Sequence, residues 1–233
     1  MTRTPAPAAT RPRLGKLQAR FLAVISHELR TPLTTIASFA ESLDSDDLPP
    51  AERSLALSAV RRNTDRMLAL VEDLMVVSRL QTGDLELYPT RIDLAAVVRA
   101  AADRQPQIAA TLKLGPGPAL TADEQLLGEL CYAVLGTVAG GAADRTAAIT
   151  TSADTERWTV TVTAQQAAEL TDEYLMAGLL AIPQPPYRQR STALWMLLAE
   201  AIAARHGGSV ELTYAPAAGA GARIRLPLTI PTG

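Results

Sequence analysis

The chain is short of the residues from which many functional sites are built. It has one cysteine, two histidines, two phenylalanines and a single asparagine among 233 residues. One cysteine, Cys131, cannot form an internal disulfide and has no partners for a zinc site, so a reducing cytoplasm fits best. Its expected role is that of a small buried hydrophobe. No run approaches the roughly 20 uninterrupted apolar residues of a membrane helix, so no membrane partner is expected. Charge of either sign is not concentrated: the net charge is −2, with Lys and Arg spread along the chain. That leaves no electrostatic footprint for nucleic acid. The first dozen residues lack the apolar segment of a signal peptide and read as a flexible tail over 1–13.

What is present is enough for a core. Hydrophobic residues make up 48% of the chain and charged residues 20%, which argues against wholesale disorder. From about Leu14 to Leu43 the apolar positions Leu22, Ile25, Leu29, Leu33, Ile36, Ala40 and Leu43 recur every three or four residues, as a helical seam requires. Residues 44–50 (DSDDLPP) are a turn segment. A second stripe comes after it at Leu57, Val60, Thr64, Met67, Val71, Leu74 and Ser78, with Gly83 as its C-cap. Two helices of roughly 30 residues, ~45 Å each, make an antiparallel hairpin. A lone hairpin has little core, so a homodimer closing a four-helix bundle is expected. Beyond Gly83 the pattern becomes mixed. Strands are expected at Leu85–Tyr88, Ala147–Ser152, Trp158–Val162, Ser209–Ala215 and Ala222–Leu228, with helices near Leu94–Arg104, Asp123–Ala139 and Thr192–Arg205. The fold class is α+β: a hairpin over 14–83, then an α/β-sandwich over 84–233.

His27 lies two residues from both Ile25 and Leu29, about 200° of helix rotation off the stripe, so it faces solvent. An exposed neutral imidazole is a competent nucleophile at neutral pH. Glu28 can polarise the ring or accept its N–H proton. Thr31 stands one turn on, on the same face, and Pro32 removes a backbone donor and should bend the helix there. Taken alone, an exposed histidine on an amphipathic helix is a surface residue. The surroundings change that reading. Phe21-Leu-Ala-Val-Ile-Ser-His-Glu-Leu-Arg-Thr-Pro-Leu33 resembles the H-box of histidine kinases nearly residue for residue, and Arg62-Asn-Thr-Asp-Arg-Met-Leu-Ala-Leu-Val-Glu-Asp-Leu-Met-Val-Val-Ser-Arg-Leu80 resembles the helix that pairs with it. The resemblance implies a dimeric hairpin phosphorylated at His27, with the phosphoryl group passing to or from an aspartate of a response regulator receiver domain. It also implies that Glu28 assists phosphorylation and that Thr31 positions water for dephosphorylating the regulator.

Residues 84–233 are similar in outline to the family's ATP-binding domain: Ile92-Asp-Leu94 would open its first helix, and His206-Gly-Gly-Ser-Val210 with Gly219 to Pro227 (GAGARIRLP) its closing part. The resemblance implies an asparagine pair on the helix after Asp123, but Ala133 and Thr137 stand there. Asn63, the one asparagine, belongs to the hairpin. Where an Asp-x-Gly-x-Gly loop is implied stands Thr163-Ala-Gln-Gln-Ala-Ala168. The later glycine-rich loop is Ser191-Thr-Ala-Leu-Trp-Met196, and the family's Phe box is absent. Side chains there hinder the close backbone approach that phosphate requires. The expectation is therefore a histidine phosphotransferase or regulator phosphatase without ATP, metal or other cofactor. An active kinase with an atypical nucleotide site and a non-enzymatic modulator of other kinases stay open as alternatives. Arg188 and Arg190 beside Tyr187 read as a solvated loop rather than an anion site, and His206 reads as structural.

Overall fold

A computed structural model describes residues 11–45, 47–165, 167, 170, 192–215 and 219–230, with backbone only for 11–24, 73 and 81. The chain divides into two compact units, Met1–Leu70 and Val71–Gly233. Of the tail expected over 1–13, residues 1–10 lie outside the described residues, as do Pro183, Pro185, Pro186, Tyr187, Arg188 and Arg190, whereas Arg11–Arg13 begin a helix.

Two 33-residue helices, α1 (Arg11–Leu43) and α2 (Pro50–Thr82), form the antiparallel hairpin. Pro50 opens α2 at a position whose N–H would have had no helical partner. Arg53 ties the turn by donating to the Ser45 carbonyl at 3.1 Å. Gly83 ends α2 at φ +84°, a left-handed conformation that a side chain would strain.

The helices meet along a seam one residue earlier than the expected stripes. Glu28 and Pro32 are buried on α1, and Ala56, Ala59 and Leu70 on α2, with Asn63 and Arg66 half-buried between them. The α2 set 56, 59, 63, 66, 70 has heptad spacing. Small alanines there allow close approach. The larger apolar side chains of the expected stripes remain in the open: Leu33 is 49% exposed, Leu57 55% and Val71 47%. Each helix thus carries two adjacent stripes, and the hairpin closes only one.

In the second unit a five-stranded sheet runs in the order β2-β4-β5-β7-β6: β2 (Ala109–Leu114), β4 (Thr146–Ala153), β5 (Arg157–Ala164), β6 (Ser209–Ala215), β7 (Gly219–Pro227). Only β2 and β4 are parallel. A short pair joins β1 (Thr90–Ile92) to β3 (Leu120–Ala122). Among the described residues, three helices, α3 (Leu94–Asp103), α4 (Glu124–Gly140) and α5 (Thr192–Arg205), make the second layer, with α4 between the other two. Strand periodicity makes the layers: Trp158, Val160, Val162, Ile224 and Leu226 alternate inward against α4, while Thr159, Thr161, Thr163, Arg223 and Arg225 alternate on the other side. Asp93 and Asp123 cap α3 and α4 by accepting from Ala95 N at 2.9 Å and Leu126 N at 3.1 Å.

Two expectations fail here. Leu85–Tyr88 alternates apolar and polar residues but is not a strand. Its amides are spent elsewhere: Leu85 donates to the Arg79 carbonyl at 3.1 Å, and Tyr88 to the Asp123 carboxylate at 3.1 Å. Pro89 comes next, without a donor of its own. The strand begins two residues later, at Thr90. The second failure is β2 and β3, which the sequence pattern does not announce. An alanine-led edge strand and a three-residue pairing carry little of the β-branched signal that marks a strand.

Candidate functional site

The residues expected to form a site on α1 lie in the first unit. His27 is 46% exposed and the side chain of Glu28 only 7%, so one turn of helix presents an imidazole to solvent while burying its neighbour. His27 Nδ1 lies 3.7 Å from Glu28 Oε1. The other carboxylate oxygen, Oε2, accepts from Arg66 Nη2 of α2 at 3.5 Å. Thr31 is exposed on the turn after His27, and its carbonyl accepts from Thr35 Oγ1 at 3.0 Å. Pro32 is buried and α1 continues through it. With Nδ1 facing the carboxylate, Nε2 is the ring nitrogen left for an electrophile. A carboxylate beside Nδ1 stabilises the positive charge that the ring acquires as Nε2 attacks. A neighbour of these residues that sequence reasoning missed is Arg66. Its only signal is a basic residue beside the stripe residue Met67, inside the string that resembles the pairing helix.

In the second unit several positions that the family resemblance implies face a nucleotide carry buried side chains. Ala133 is buried, and Thr137 is fully buried with no hydrogen-bond partner for its hydroxyl. α4 is buried all round from Leu130 to Ala139. β5 runs on through Thr163 and Ala164, two residues beyond the strand end expected from sequence, so the implied Asp-x-Gly-x-Gly segment begins inside the sheet. Ala167 and Leu170 are buried, and a Cβ built on Gly141 at the end of α4 would meet Leu170 Cδ2 at 3.3 Å. Trp195, at an implied glycine position, packs its ring 5.3 Å from that of Tyr132. On Tyr132 also sits the Arg104 guanidinium, 4.7 Å from the ring centre and paired with Glu129 at 2.8 Å. Beneath α4 a void of about 10 Å³ is lined by Cys131, Leu135 and Val160, among others. Burial pushes the Cys131 thiol up to about 12, so it stays protonated and unreactive. Among the described residues, no group of three or more His, Cys, Asp or Glu is placed to hold a metal ion. The asparagines that the family resemblance implies for holding a magnesium nucleotide are absent, and Ala133 and Thr137 in their place are buried.

His206 is a structural bridge. Its Nδ1 donates to the Ile202 carbonyl at 2.8 Å, and its Nε2 accepts from Asp123 N–H at 3.2 Å, joining the end of α5 to the start of α4. Gly207, at φ +72°, and Gly208, where a Cβ would collide with the Arg225 carbonyl, turn the chain into β6. Burial holds the His206 imidazole below its ordinary range, against smaller upward effects of the Ile202 carbonyl and Asp123. The folded state therefore resists a proton that the unfolded chain takes up near pH 6.5. Stability from this group is present above that pH and is lost as pH falls toward the depressed folded value. Thermal unfolding at pH 7.5 and 5.5 should show the wild type losing more stability on acidification than His206→Gln does.

Comparison with known proteins finds relatives of the hairpin in sequence and of the wider chain in fold. Residues 17–83 match the His Kinase A (phospho-acceptor) domain. The sensor histidine kinase MtrB of Mycolicibacterium paratuberculosis is 41% identical over 90 residues, 37% of this chain and 16% of that protein. YclK of Bacillus subtilis is 34% identical over 85 residues, 36% of this chain and 18% of its own length. Sensor protein EvgS of Escherichia coli is 30% identical over 82 residues, 35% of this chain and 7% of its own. The chain thus spans less than a fifth of the length of these relatives. In structure, Acinetobacter baumannii histidine kinase AdeS superposes with a TM-score of 0.58 at 18% identity, covering 87% of this chain and 98% of that one. Full-length ShkA superposes at 0.57 with 21% identity, covering 91% of this chain and 46% of that one. At such identities the likeness shows the fold alone. Residues 17–83 thus match the phospho-acceptor domain of histidine kinases in sequence, and the chain resembles solved histidine kinases in fold.

Proposed function

We propose that this protein is a phosphorelay component that carries a phosphoryl group on His27 Nε2 and exchanges it with a response regulator aspartate without making phosphohistidine from ATP. The observation that carries this reading is the contrast between the two units. His27 is exposed and backed by a buried Glu28, whereas Thr137, at the implied metal-ligand position, is fully buried. Phosphoryl transfer from ATP needs a positioned metal to neutralise developing charge. For transfer from an aspartyl phosphate this chain would supply a nucleophile held in line: the acyl P–O bond breaks as the bond to Nε2 forms, and the aspartate carboxylate leaves. Thr31, exposed one turn on, is proposed to position water when the regulator is dephosphorylated instead. The functional division is taken as hairpin 14–83 and degenerate domain 84–233, the latter a docking surface or buttress.

The uncovered stripe supports a homodimer. Leu33, Leu57, Leu68, Val71 and Met75 are exposed in the single chain, and a second hairpin laid against them would close a four-helix bundle. No described helix is long and apolar enough to cross a membrane, and a cytoplasmic location is part of the proposal.

The test is incubation of the purified protein with radiolabelled ATP and Mg²⁺, and then with a panel of labelled, phosphorylated receiver domains. No label from ATP and acid-labile label from a receiver are expected. Label from ATP that disappears in His27→Ala would instead make the protein a kinase with an unconventional nucleotide site. No label from either source would leave a non-enzymatic modulator.

A further inference from the structure

The Glu28 carboxylate has two oxygens and two partners. Oε1 faces His27 Nδ1 at 3.7 Å and Oε2 faces Arg66 Nη2 at 3.5 Å. Arg66 comes from the other helix, 38 residues away, and is itself three-quarters buried at its side chain. A carboxylate as enclosed as Glu28 is costly to hold charged unless a cation stands against it. The guanidinium meets that need and also sets direction: with Oε2 engaged on the α2 side, Oε1 is turned toward the imidazole. A free glutamate on a helix surface would sample several rotamers, few of which place an oxygen beside Nδ1. Both distances leave room to shorten once the ring becomes cationic.

We infer that Arg66 is a positioning residue for phosphoryl transfer at His27, acting through Glu28 by fixing the carboxylate against Nδ1. It touches neither phosphorus nor the reacting nitrogen. The inference rests on the proposed phosphohistidine role of His27.

The test uses the full chain and labelled phosphoramidate as the donor, which requires neither nucleotide nor receiver. His27 Nε2 gives its lone pair to phosphorus as the P–N bond of the zwitterion breaks and ammonia leaves. The positive charge passes to the ring, whose Nδ1–H faces Glu28. Initial labelling rates are compared for wild type, Arg66→Met, Arg66→Lys, Glu28→Gln and the Arg66→Met/Glu28→Gln double variant. The expected result is a fall of about tenfold to a hundredfold in Arg66→Met, recovered in large part by Arg66→Lys, which restores the charge. The double variant should be no slower than Glu28→Gln alone, because the two residues act on one path.

An unchanged rate in Arg66→Met would overturn the inference and make the pair a helix–helix staple only. Multiplying effects in the double variant would overturn it equally. Should Arg66→Met not fold, Arg66→Gln makes the same comparison with a neutral donor. A wild type that takes no label while a control phosphoacceptor does would remove the phosphohistidine reading, and the role of Arg66 with it. Label on wild-type His27 with no effect of Arg66 would remove the role of Arg66 alone.

Discussion

His27→Gln should end phosphoryl acceptance, with a fall of at least about a thousandfold and no loss of fold. The size of the effect reflects the absence of any stand-in. The chain has two histidines. The second, His206, is buried, with its Nε2 lone pair committed to the Asp123 amide at 3.2 Å. Glu28 cannot replace the imidazole, because its carboxylate is enclosed and paired with Arg66. The fold should be indifferent. His27 is 46% exposed and its one described side-chain partner stands 3.7 Å away, so the change falls in the class of surface substitutions within about 0.5 kcal/mol. Labelled receiver supplies the group, and acid lability of the transferred label identifies a P–N bond. Undiminished acid-labile label on the Gln variant would sink the assignment.

The second large effect concerns an attempted repair. Thr137→Asn puts back the side chain that the family resemblance implies at the metal position, yet it should cost about 2–4 kcal/mol and gain no nucleotide binding. Thr137 is fully buried within a helix enclosed on every side from Leu130 to Ala139. Its hydroxyl already lacks a partner. An amide of about the same volume but different shape brings two N–H donors and a carbonyl to a site that already leaves one hydroxyl unpaired. Thr137→Val is the control: removing the orphaned hydroxyl at nearly constant volume should be neutral or stabilising. Urea unfolding measures both. An Asn variant as stable as wild type, or one whose Tm rises with Mg²⁺ and ATP, would show that the face is open and restorable.

Much of the hairpin was legible because its determinants are local. Three- and four-residue spacing marked both helices, and Gly83 marked the end of α2, where φ is +84°. The rotation of about 200° between Ile25 and His27 placed the imidazole in solvent, where it stands. The same periodicity misplaced the seam, because each helix carries two neighbouring stripes and only pairing decides which is closed inside one chain. Alanines 56 and 59 won over Leu57 and Val60 by allowing closer approach. Leu85–Tyr88 failed as a strand for a related reason: its alternation was real, but its amides found partners at Arg79 and Asp123.

The sequence by itself determined the chemistry available. A nucleophile in solvent, a carboxylate next to it and a chain whose one asparagine lies in the hairpin are matters of residue identity and helical phase, and folding cannot supply a side chain the chain lacks. Only the tertiary structure decided how those groups are held. It drew Arg66 to Glu28 across 38 residues, closed Tyr132 and Trp195 together at 5.3 Å, and sealed Thr137 in the core. Those outcomes depend on which distant surfaces pack, and packing is selected by shape and burial over the whole unit rather than by any local pattern.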